Sequence, residues 1–210
     1  MYRILTDIYY FSRMMKDKAL YVYFEFLLKE RTTLADEVER LEVIETNEGF
    51  YNVFKNLFIE PTKIVDNLYL GNAYNASNFN QLDEFNITSI LNITNEIPNY
   101  FEEDENFDYI KISIDDINKE SIINHLDIAL KFLIETQKKK PNQNILVHCY
   151  MGSSRSASII LAYLIKYYHL TLEDALKLLK EKRPVVNINV DFWKDLEIFY
   201  RSLSGEDILG

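Results

Sequence analysis

Ile145-Leu-Val-His148-Cys149-Tyr150-Met151-Gly152-Ser153-Ser154-Arg155-Ser156 is the stretch on which the fold turns. Its three leading apolar residues predict a short buried strand. The apolar run that follows, over 156–168, predicts a helix entered through a polar loop. N–H groups at a helix N-terminus lack intrahelical partners and carry the positive end of the helix dipole. A loop of successive N–H groups above them makes a concave nest for a tetrahedral oxyanion. Gly152 allows a backbone approach that a Cβ would hinder. Arg155 offers two oxygens of such an anion a planar fork, which a lysine cannot do. Cys149, the single cysteine of the chain, stands at the centre of this field, which favours the nucleophilic thiolate. A lone cysteine after a core strand is ordinarily a packing residue. Here the His-Cys-x5-Arg-Ser spacing between strand and helix meets what thiolate chemistry on an oxyanion needs.

Outward from this stretch, strands and helices alternate. Residues 63–67 and 68–71 predict two short strands, 88–94 a β-rich core strand and 109–114 another. Asn78 is placed to cap a helix running to Phe85. Residues 97–108 predict an acidic, aromatic loop, and 121–138 a helix whose basic end suits the dipole. Thr171 predicts the N-cap of a helix reaching Lys182 and stopped by Pro184. Asn189 or Asp191 opens a last helix through Leu203. The alternation predicts an α/β fold whose sheet is covered on both faces, with the oxyanion loop beyond the carboxyl end of a strand.

Residues 1–58 differ from the rest. The segment 17–31 is dense in aromatic and aliphatic residues, and Leu34, Val38, Leu41 and Ile44 form a helical stripe. We expect an N-terminal helical extension over 1–58, a catalytic domain over 59–204 beginning near Pro61, and a short tail over 205–210.

Composition narrows the partners. A net charge of −10 disfavours nucleic acid, which calls for a basic face. The sequence has no unbroken apolar run long enough to span a membrane and no secretory signal pattern at its start. One cysteine excludes an intramolecular disulfide and suits the reducing cytoplasm. The three histidines are scattered, so no metal is expected. Asn75, Asn86 and Asn92 each begin an N-x-S/T triplet, which without a signal peptide carries no expectation of glycosylation.

His148-Cys149-Tyr-Met-Gly152-Ser-Ser-Arg155-Ser156 resembles the signature of cysteine-dependent protein tyrosine phosphatases, and its Gly-x-Ser-Arg-Ser ending the dual-specificity branch. The resemblance spans about 61–203 and includes Leu68-Tyr-Leu-Gly-Asn72. Within the branch, Asn75-Ala-Ser-Asn78, Ile90-Leu-Asn-Ile-Thr-Asn-Glu-Ile97 and His148 to Ser158 look like slingshot segments. The chain departs from that subgroup at Tyr150, where slingshot enzymes often carry lysine, and over its N-terminal segment.

The resemblance implies a central mixed sheet flanked by helices, a protein tyrosine phosphatase-like fold, and no cofactor. It implies that Cys149 attacks phosphorus to give a phosphocysteine intermediate, while Arg155 and the amides of Tyr150, Met151, Gly152, Ser153 and Ser154 hold the phosphate oxygens. Ser156 is then the donor to the sulfur, and His148 an orienting residue behind it. Asp116 takes the place of the general acid, with Asp115 the rival. The implied partner is a phosphoprotein: a cofilin-type actin regulator, or else a mitogen-activated protein kinase. A phosphoinositide phosphatase would be expected to carry lysines where Tyr150, Met151 and Ser153 stand, and a non-catalytic binding module to have lost Cys149, Arg155 or Asp116. The oligomeric state is not legible.

Overall fold

The strand predicted before Cys149 is β5, Asn144–His148, and it occupies the middle of a five-stranded sheet. A computed structural model of the chain describes residues 59–115 and 121–204. The expected extension over 1–58, the tail over 205–210 and Asp116 lie outside the described residues. The other strands are β1, Thr62–Val65; β2, Leu68–Gly71; β3, Ile87–Asn92; and β4, Asp108–Lys111. Their order is β1-β2-β5-β3-β4, with β1 antiparallel to β2 and every other pairing parallel, so the sheet is mixed. Parallel strands of this kind are covered on both faces and read as continuous apolar runs. β5 does so: Ile145, Leu146, Val147 and His148 are all buried.

Alternation along β5 divides the core. Ile145 and Val147 face a large cluster built with Leu68, Leu70 and Leu91 of the neighbouring strands and with four helices. These helices are α3, Ile123–Lys139; α4, Arg155–Tyr168; α5, Leu172–Lys182; and α6, Val190–Ser204. Leu146 faces a smaller cluster with Tyr69, Ile87, Ile90, Ala76 and Leu82. Two short helices cover that side: α1, Ala73–Ser77, and α2, Phe79–Glu84, joined by Phe101 and Phe107 from the acidic loop. Helix α4 is buried from Arg155 through Ile165, so its N-terminus is held firmly beyond the end of β5.

Local chemistry explains the element ends. The Asn78 side chain accepts from Gln81 N–H and Thr171 from Asp174 N–H, both as N-caps. Asn189 Oδ1 accepts from Phe192 N–H and opens α6. Helix α3 has no cap of its own; Asp195 on α6 supplies one, accepting from Ile122 N–H at 2.7 Å and from Ser121 Oγ at 2.8 Å. The sequence pattern did not separate out α1, which rests on a reciprocal box between Asn72 and Asn75. Asn75 and Asn92 are fully buried and hydrogen-bonded, so their N-x-S/T triplets are structural. Strand β4 ends at Lys111 rather than at Ile114. Its partner β3 ends at Asn92, and beyond that pair only the Ile112 N–H to Asn92 O bond continues the ladder.

Candidate active site

Between β5 and α4 the chain turns through Cys149–Ser154, and the backbone of this loop is tied from behind. Ala73 N–H donates to Tyr150 O at 3.1 Å and Asn187 N–H to Ser153 O at 3.0 Å. The Arg183 guanidinium donates to Gly152 O at 3.0 Å and to Met151 O at 3.5 Å. In a trans peptide, C=O and the following N–H point in opposite directions. Securing the carbonyls of residues 150–153 on one side therefore turns the N–H groups of Met151, Gly152, Ser153 and Ser154 to the other. Among the described residues those four N–H groups have no acceptor. Gly152 makes the turn with φ +66°, and an added Cβ there would lie 2.5 Å from Gly71 O.

Cys149 sits inside this turn, 2% exposed. Ser156, in the first turn of α4, donates its hydroxyl to Cys149 Sγ at 3.1 Å. His148 is buried behind, with Nδ1 3.3 Å from Cys149 O. Burial pushes its imidazole down to about 4, against the pull of that hydrogen bond, and nearby Lys111 and Arg155 add to the fall. The ring is therefore neutral at pH 7, and its Nδ1–H is the proton that reaches the carbonyl.

Arg155 is buried and held in a defined pose. Nη1 donates to Glu96 Oε2 at 2.9 Å and to Ile114 O at 3.0 Å, and Nη2 donates to Glu96 Oε1 at 2.7 Å. Burial raises the Glu96 carboxyl, but the Arg155 hydrogen bonds, backbone hydrogen bonds and the Arg155 charge together outweigh it and leave the group below its ordinary value. A small knot presents Glu96: Asn92 Nδ2 and Lys111 Nζ both donate to Ile97 O, and Ile97 N–H donates to Thr94 Oγ1. Glu96 falls within the slingshot-like segment Ile90–Ile97 but was given no role from sequence, since one glutamate after a core strand has no distinguishing pattern. Arg183 was also missed, because a basic residue before Pro184 at a helix end reads as a stop signal. The half-buried Asp115 follows Ile114, whose carbonyl Arg155 holds, so the chain carrying Asp115 passes beside the guanidinium. The structure thus brings together Cys149, Arg155, Ser156, His148 and the loop 150–154, with Asp115 close by in the chain.

A buried sulfur with a hydroxyl donor, a fixed arginine and four convergent amides make a receptor for a tetrahedral oxyanion in front of a nucleophile. Residues 68–202 match the family described as dual specificity phosphatase, catalytic domain. The chain belongs to that family. It is 36% identical over 139 residues to protein phosphatase Slingshot of Drosophila melanogaster, covering 66% of this chain and 13% of that protein. It is 37% identical over 147 residues to human dual specificity protein phosphatase 9, covering 70% of this chain and 38% of that protein. The chain thus spans well under half the length of the curated relatives it matches. Its fold is also that of a mouse putative dual specificity phosphatase crystallised with zinc tungstate. That likeness has a TM-score of 0.64 and 25% identity, covering 70% of this chain and 89% of that one. The expected protein tyrosine phosphatase-like fold, with its mixed sheet and flanking helices, is therefore the one observed. Among the described residues, no helix is long and apolar enough to cross a membrane.

Proposed function

We propose that this chain hydrolyses phosphate monoesters on proteins, phosphoserine and phosphothreonine as well as phosphotyrosine, through a phosphocysteine intermediate. The observation that carries the reading is the set of four amides around Cys149 that have no acceptor among the described residues. In the first step the Cys149 thiolate attacks phosphorus in line, an S–P bond forms, and the ester P–O bond breaks. Arg155 and the loop amides hold the three equatorial oxygens. The leaving oxygen takes a proton from Asp116, on the grounds of the family resemblance, with the adjacent Asp115 as the alternative acid. In the second step water attacks phosphorus, the same carboxylate accepts its proton, and Cys149 leaves as thiolate, stabilised by the Ser156 hydroxyl 3.1 Å away. His148, neutral and bonded to the Cys149 carbonyl, orients the nucleophile rather than moving protons.

For substrate we favour phosphorylated cofilin-type actin regulators, supported by the likeness to Slingshot. Doubly phosphorylated mitogen-activated protein kinases are the second reading, supported by equal likeness to human dual specificity phosphatase 9. Thiolate chemistry fits a cytoplasmic setting, where cysteines stay reduced. The test is hydrolysis in chelator of a small aryl phosphate, phosphocofilin, a doubly phosphorylated kinase-loop peptide and a phosphoinositide, with Cys149→Ser as blank. Cysteine-dependent turnover with phosphocofilin preferred supports the first reading, and preference for the kinase peptide the second. Folded, reduced protein with no turnover on any of them refutes both.

A further inference from the structure

Arg183 is a large charged side chain with 0% exposure, and the chemistry above makes no use of it. A buried guanidinium ordinarily pairs with a carboxylate. This one has none among the described residues. Its partners are Gly152 O at 3.0 Å, Met151 O at 3.5 Å, Thr62 Oγ1 at 3.0 Å and Glu60 O at 3.5 Å. It therefore stands between the oxyanion loop on one side and the start of β1 on the other. The packing is close: a Cβ on Gly152 would lie 2.8 Å from Arg183 Nη2.

We propose that Arg183 is a positioning residue for phosphate binding, gripping the loop's Met151 and Gly152 carbonyls from behind so that the Gly152 and Ser153 N–H groups face the phosphate. The inference rests on the phosphatase reading and adds a part to it. Two physical effects follow from the geometry. Holding a carbonyl fixes the direction of the N–H in the same peptide unit. A cationic donor on that carbonyl also polarises the unit and strengthens the N–H as a donor on its far side. Burial pulls the guanidinium down to about 10, with the nearby Cys149 acting the other way, so it keeps its charge at neutral pH. Its charge lies behind the site, whereas Arg155 supplies charge at the front.

The experiment compares the full chain with Arg183→Lys and Arg183→Met. The readouts are kcat and KM for a small aryl phosphate, the inhibition constant of orthovanadate as a phosphate mimic, and the melting temperature. Arg183→Met is expected to weaken vanadate about 10- to 100-fold and to lower kcat/KM by a similar factor, the effect of losing one or two charge-assisted hydrogen bonds. Arg183→Lys keeps a charge and one donor and is expected to recover about 5-fold of that loss at a melting temperature close to that of the Met variant. Equal vanadate constants in the two variants, or values unchanged from wild type, would overturn the proposal. If the Met variant does not fold, Thr62→Val decides: it removes the outer anchor of Nη1 and is expected to weaken vanadate about 3-fold. An unchanged constant there overturns the proposal as well. A wild-type chain that neither turns over substrate nor binds vanadate overturns the phosphatase reading and this inference together, while an active wild type with indifferent variants overturns this inference alone.

Discussion

Replacing Gly152 with alanine tests the shape of the oxyanion loop directly. The residue sits at φ +66°, a region that costs a non-glycine residue roughly 1–2 kcal/mol. The added methyl would also lie 2.5 Å from Gly71 O, 2.8 Å from Gly71 C and 2.8 Å from Arg183 Nη2. Two of these neighbours are backbone atoms of β2, so the loop and not the neighbour must move. Overpacking of this kind costs about 1–3 kcal/mol, against which alanine recovers about 0.4–1 kcal/mol by restricting the unfolded chain. The net expectation is a loss of about 2–4 kcal/mol, or roughly 5–15 °C in melting temperature for a unit of this size. Moving the loop displaces the amides of Gly152 and Ser153, and an ångström-scale misplacement costs on the order of 100-fold in rate. Calorimetry and kcat/KM on an aryl phosphate measure the two effects. Gly71→Ala is the control: its new methyl meets the ends of the Leu146 and Asn75 side chains at 2.8 and 2.9 Å and carries no φ penalty, so a smaller loss is expected. A Gly152→Ala protein that melts within 2 °C of wild type (about 0.5–1 kcal/mol) and keeps kcat/KM within about threefold would refute the loop geometry argued above.

Glu96→Gln removes the carboxylate that orients Arg155 and is expected to lower kcat/KM about 3- to 10-fold, chiefly through KM, in steady-state assays. Because the Glu96 carboxyl is held below its ordinary 4.5 in the folded chain, its stabilisation is complete above that value and disappears as pH falls through the lowered one. The melting difference between wild type and Glu96→Gln is therefore expected to vanish in acid, and a difference that persists there contradicts the pairing. His148 behaves in the same sense over a higher window: held down at about 4 against an ordinary 6.5, it takes up its proton first in the unfolded chain. Stability is thus lost as pH drops from 6.5 toward 4, by roughly 3 kcal/mol over that window. Urea titrations of wild type and His148→Asn at pH 7 and pH 4.5 check this, and parallel losses in both would count against it. Asp195→Ala leaves Ile122 N–H and Ser121 Oγ without their acceptor at the start of α3 and is expected to cost about 1–2 kcal/mol in a urea titration.

The centre of the molecule was legible in the sequence. An apolar triplet, a polar loop with one glycine and a long apolar run predict a strand, a turn and a buried helix, as observed. The placement of Cys149, Arg155 and Ser156 follows from that local geometry, since all three lie within one loop and one helical turn. The strands and the later helices were legible for the same reason, as periodicity and capping act over a few residues. What the tertiary structure alone decided are the contacts that hold the loop in shape. Glu96 meets Arg155 from 59 positions away, and Arg183 meets the Gly152 carbonyl from 31. Neither has a local pattern, because a glutamate just after a strand and an arginine at a helix end are both at home in solvent. The fold gives each a fixed partner: the Asn92–Thr94–Lys111 knot turns the chain so that the still exposed Glu96 reaches Arg155, and the packing of α5 against β1 buries Arg183 behind the loop. The order β1-β2-β5-β3-β4 was likewise invisible in the sequence, for strand neighbours are chosen by the packing of helices on two faces and not by any one strand's residues.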